Sequence, residues 1–130
     1  MPPSRRGYLR EMVELATRDR PGALCLQEVP VWALGALEGW SGMRCHGMVA
    51  RPARRPARVT ARITRMHQGL FRSRLAGQAN AILVDPSRAG ESIGGMQISE
   101  PGRERRIVLA VRVEGVGIVG TLHATNAASM

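Results

Sequence analysis

Apolar residues near the N-terminus recur at helical spacing. Leu9, Met12, Val13 and Ala16 share a face, while Arg10, Glu11, Glu14 and Arg18 fall elsewhere on the wheel. The pattern predicts an amphipathic helix over residues 5–19, ended by Pro21-Gly22. Ala23-Leu24-Cys25-Leu26 then forms a continuous apolar run. That is the pattern of a buried strand, and it finishes in the polar pair Gln27-Glu28. Pro30 can open a second short helix through Trp32, Leu34 and Leu37, closing near Gly39. Residues 43–49 read as a strand, 50–58 as irregular chain because of Pro52 and Pro56, and 59–66 as a loosely alternating strand. Ala79 to Val84 is a further strand, stopped by Asp85-Pro86. Residues 86–104 are rich in Gly, Ser and Pro and read as a surface loop. Ile107 to Val113 and Val116 to Leu122 are apolar runs joined by Glu114-Gly115, a β-hairpin pattern. Helix, strand, helix and then several strands together predict an α+β layered sheet.

Composition narrows the class. The chain has 130 residues, room for one compact domain of the usual ~100–150 residues. Its hydrophobic fraction of 44% supports a real core and excludes wholesale disorder. Aromatics are only 3%, so that core is built from Val, Leu, Ile, Ala and Met. No apolar run approaches the ~18 residues of a membrane helix, and the N-terminus lacks a signal-type apolar stretch. A cytoplasmic protein is the expectation. Cys25 and Cys45 have no zinc-site spacing, and His46 does not complete one. Cys25, inside an apolar run, reads as a small buried hydrophobe, with a disulfide to Cys45 left open.

Charge is unevenly spread. The net charge is +9, with 19 arginines and no lysine. Residues 1–38 and 85–130 each balance five Arg against five acids, whereas residues 39–84 hold nine Arg and no acid. Such a field attracts polyanions. Arginine supplied by a GC-rich genome is the competing explanation. Arg51, Arg54, Arg55, Arg58, Arg62 and Arg65 fall three or four apart, but the intervening prolines argue for a basic loop and strand rather than a helix. Aromatic interleaving for base stacking is absent.

Two positions could carry chemistry. Glu28, at the end of a buried strand, is placed either to hold a hard cation such as Mg²⁺ or to lie solvated at the strand end. His123, ending the last strand, reads either as a donor to a phosphoryl oxygen or as an ordinary hydrogen-bonded histidine. Asn80, after Gly77, reads by itself as a turn residue at a strand start. His67 has no partner pattern.

Taken in order, these stations resemble a known family. Leu24-Cys25-Leu26-Gln27-Glu28-Val29-Pro30 resembles the Leu-Gln-Glu-Val strand motif of the endonuclease/exonuclease/phosphatase superfamily, the deoxyribonuclease-like fold. The segment 77–83, Gly-Gln-Ala-Asn-Ala-Ile-Leu, is similar to that family's next strand. Residues 104–113 and 117–126 resemble its strand pair ending in a catalytic His. Arg20-Pro21 sits where the family often has Arg-Pro-Asp before its strand. The similarity spans nearly all of residues 8–127.

The resemblance implies an Mg²⁺- or Mn²⁺-dependent hydrolase of phosphoesters, nuclease-like, with nucleic acid as the plausible substrate. Glu28 would match the metal-binding Glu, with Gln27 beside it. His123 would match the His that contacts the scissile phosphate, and Asn80 and Asn126 would bind substrate at the rim. The family's N-terminal Asn strand, its Gly-Asp-x-Asn motif and its Ser-Asp-His motif have no counterparts here. The only aspartates are Asp19 and Asp85, and Leu122 stands where the family has Thr before its His, with Thr121 one place earlier. The implied fold is therefore a partial four-layer αββα sandwich, its N-terminal half, forming a single incomplete domain. The expectations are weak or no activity alone, and self-association through uncovered sheet surface. The rival expectation is a non-catalytic basic module that grips nucleic acid through Arg–phosphate contacts.

Overall fold

A computed structural model of the chain describes residues 8–52, 77–98 and 106–122. The class is α+β. The order is α1 (Tyr8–Thr17), β1 (Ala23–Val29), a single 3₁₀ turn (Val31–Ala33), α2 (Leu34–Ser41), β2 (Arg44–Arg51), β3 (Gln78–Val84), β4 (Gly90–Gln97), β5 (Ile107–Val113) and β6 (Gly117–Leu122). The strands form two three-stranded antiparallel sheets, β1-β3-β2 and β4-β5-β6.

Two apolar clusters set the layering. In one, Val13, Ala33 and Leu37 from the helical elements pack against Val29, Ala81 and Leu83 of the first sheet. In the other, Ile82 and Val84 pack against Leu109, Val111 and Val113 of β5. β3 thus has helices on one face and the second sheet on the other. This is why Ala79 to Val84 is an unbroken run rather than an alternation: all six residues are buried. The hairpin forms as expected, with Glu114-Gly115-Val116 as the turn and Gly115 at φ 76°.

Four expectations need correction. Residues 86–104 are not simply a loop: β4 occupies Gly90–Gln97 and pairs along β5. Its glycines concealed it. Gly95 lets Met48 Sδ approach where any Cβ would collide, and Gly94, at φ 145°, follows a register shift. The inward stripe of α1 is the partly buried Leu9 with the buried Val13 and Thr17, while Met12 and Ala16 are exposed. Thr17 tolerates burial because its hydroxyl donates to the Val13 carbonyl at 2.7 Å. α2 runs past Gly39 to Ser41 and closes on Gly42, at φ 69°. Strand β2 also takes in Ala50 and Arg51, residues expected to be irregular; the proposed strand at 59–66 lies outside the described residues.

Candidate functional site

The Gln27-Glu28 pair sits on a bulge whose cause can be read from the packing. Leu26 and Val29 both pack with the helices, yet they are three residues apart, an odd spacing for one strand face. The ladder absorbs the mismatch. Leu26 pairs with Ala81 and Val29 with Ala79, so Gln27 and Glu28 together oppose the single residue Asn80. Glu28 takes φ 56°, and only it and Arg20 among the described non-glycine residues have positive φ.

Gln27 is exposed and reaches the second sheet. Its side-chain amide donates to the Leu122 carbonyl at 2.7 Å and to the Thr121 hydroxyl at 3.2 Å. Thr121 is only 3% exposed. The end of β1 is therefore tied to the end of β6, and the next residue in the chain after Leu122 is His123. His123 and Asn126 lie outside the described residues. Asn80 is not at a strand start but inside β3 and 5% exposed, on the same face as Ile82 and Val84. A side chain so enclosed can reach a ligand only from the floor of the site. At this same end Arg51 donates to Gln78 Oε1 at 3.3 Å, across the β2–β3 pair.

Sequence reasoning missed three parts of this cluster: the bulge, the Gln27–Thr121 bond and the Arg51–Gln78 pair. The first had a signal, the Leu-x-x-Val spacing of Leu26 and Val29. The others join segments far apart in the chain and had none.

Donor chemistry permits a hard cation here. Mg²⁺ is commonly held by one or two carboxylates while keeping several waters. Glu28 supplies one carboxylate, with the Gln27 amide next to it in the chain. Among the described residues no three His, Cys, Asp or Glu side chains gather into a metal cluster.

A separate cavity of about 350 Å³ is lined by Thr17, Arg20, Ser41, Gly42, Met43 and Asp85. It lies at the opposite end of β3, about 17 Å along the strand from Asn80. There Asp85 accepts the Ser87 amide hydrogen at 3.0 Å. That bond holds the Asp85 carboxyl below its ordinary range, with Arg88 and Arg20 adding to the effect.

The cysteines differ from expectation. Cys25 is exposed rather than buried: it points away from the helix-facing Leu24 and Leu26, toward β6 at the edge of the second sheet, where Sγ approaches the Gly120 carbonyl at 3.9 Å. Cys25 pairs with Ile82 and Cys45 with Leu83, from opposite sides of β3. Two strand spacings, about 9–10 Å, separate them, too far for a disulfide. Both are free thiols. Partial burial raises both pKa values, and Glu38 raises that of Cys45 further.

Of the nine arginines in residues 39–84, Arg44 and Arg51 are described; the remaining seven lie outside the described residues. Among the described residues no helix is long and apolar enough to cross a membrane. No protein-family model matches the chain, and no curated protein matches it.

Proposed function

We propose that the chain carries the metal-binding half of a phosphoesterase site, with Glu28 as metal ligand and His123 as the group that contacts the phosphate. The observation that carries this reading is the bond from Gln27 to the Leu122 carbonyl, which joins the Glu28 bulge to the strand leading into His123. The positive φ of Glu28 adds support, since strained backbone persists where the surrounding structure holds it and clusters at working sites. A bound Mg²⁺ or Mn²⁺ would neutralise charge on a phosphate oxygen. His123 would donate a hydrogen bond that strengthens as charge develops in the transition state. Asn80 and Asn126 would bind substrate around them. The surrounding fold, on this reading, is part of an αββα sandwich.

The acid-free, nine-arginine segment favours nucleic acid over a neutral substrate. It also supports a second reading, a basic module that binds nucleic acid without cleaving it. The test is cleavage of labelled single- and double-stranded DNA with Mg²⁺ or Mn²⁺, run beside Glu28→Gln and His123→Ala. Weak metal-dependent cleavage, lost in both variants, is the expected result. Salt-sensitive binding that ignores metal, without cleavage, would replace it with the second reading.

A further inference from the structure

The outward face of the second sheet has a defined relief. Gly94, Ala110 and Gly120 are register partners across β4, β5 and β6, forming one row of small residues. Two positions along the strands, Met96, Val108 and Leu122 form a parallel row. Met96 is 62% and Leu122 48% exposed. A trough therefore lies beside a ridge, about 7 Å apart. Ile118, 67% exposed, stands on the far side of the trough. The alternate residues Leu109, Val111 and Val113 point the other way, into the core.

We infer that a second copy of this chain docks on this face. A two-fold axis running between the two rows, parallel to both, seats each copy's ridge in the other's trough. Such a contact is isologous and closes at two subunits. Three observations favour this occupant. Ridge and trough are adjacent and parallel, the arrangement that makes one surface complementary to itself. Ile93, Met96, Ile98, Ile118 and Leu122 are each about half exposed or more. Together they offer on the order of 600 Å² of apolar surface, at the top of what monomers leave uncovered and close to the ~800 Å² per partner of a stable interface. Charge next to the trough is paired. Glu91 and Arg112, in the row beyond the trough, pair with each other at 3.5 Å, which balances charge there.

The test is sedimentation velocity on the full chain across the micromolar range, with circular dichroism confirming that each variant is folded. The wild-type chain sediments as a dimer. Met96→Lys and Ile118→Lys each weaken the dimer ~10-fold or more, as truncated interface anchors do. Ala110→Leu separates fit from stickiness: it adds apolar area but fills the trough, so the dimer weakens. Gly120→Ala, whose new Cβ meets only the Leu109 carbonyl oxygen at 3.7 Å, raises the floor more gently and weakens it less. A wild-type monomer throughout the range, open-ended oligomers, or tighter association in Ala110→Leu would each overturn the inference. None of these variants alters Gln27, Glu28 or His123, so the outcome is independent of the phosphoesterase reading.

Discussion

Replacing Gln27 by Met keeps the length of the side chain and removes both hydrogen bonds between β1 and β6. Gln27 itself is exposed, so its own loss of partners is cheap. Thr121 is 3% exposed, so its hydroxyl loses a donor where water cannot easily replace it. Leaving such a group short of a partner costs about 1–3 kcal/mol. For a chain of this size that corresponds to a fall in Tm of roughly 3–5 °C per kcal/mol. Thr121→Val removes the hydroxyl from the other side. With both replaced, nothing is left unsatisfied at that bond, so the double variant is less damaged than the sum of the singles by about 1 kcal/mol. Urea unfolding of the four proteins, at one fixed protein concentration, measures this cycle. Additivity within about 0.3 kcal/mol would refute the reasoning, because the Gln27–Thr121 bond would then carry no coupling between the two sheets.

Glu28→Gly relieves the positive φ but gives the unfolded chain more freedom, so urea unfolding should show stability unchanged or raised by about 1 kcal/mol while metal-dependent cleavage disappears. Both thiols have raised pKa values, so iodoacetamide labelling should be slow at neutral pH and accelerate above the ordinary thiol range, with Cys25, the exposed one, modified first. Asp85 has a lowered pKa, which makes its contribution present above the ordinary carboxylate range and lost as pH falls through the lowered value. Asp85→Asn should therefore flatten the acid side of a urea-midpoint profile against pH and leave the neutral-to-alkaline part parallel to wild type.

Strands with strong apolar runs were legible in the sequence, because burial on both faces of β3 writes itself into residue type and β5 is apolar at all but one position. β4 was not, since a strand made of Gly90, Gly94 and Gly95 shows loop composition and is held by its pairing with β5. The position of Glu28 after an apolar run was legible. Its conformation was not, because the bulge follows from where Leu26 and Val29 meet the helices, a tertiary fact that local propensity does not encode. Asn80 misled for the same reason. A polar residue after Gly77 suggests a turn, whereas β3 begins at Gln78 and carries Asn80 inside. The bond from Gln27 to Leu122 spans 95 positions of sequence and is a product of sheet stacking alone.

The most direct measurement is the rate of DNA cleavage as Mg²⁺ or Mn²⁺ is titrated into the full chain, compared among wild type, Glu28→Gln and His123→Ala. A weak rate that rises with metal and vanishes in both variants is the predicted result. A rate that is indifferent to metal, or one that survives Glu28→Gln, would contradict the assignment of Glu28 as the metal ligand of a phosphoesterase site.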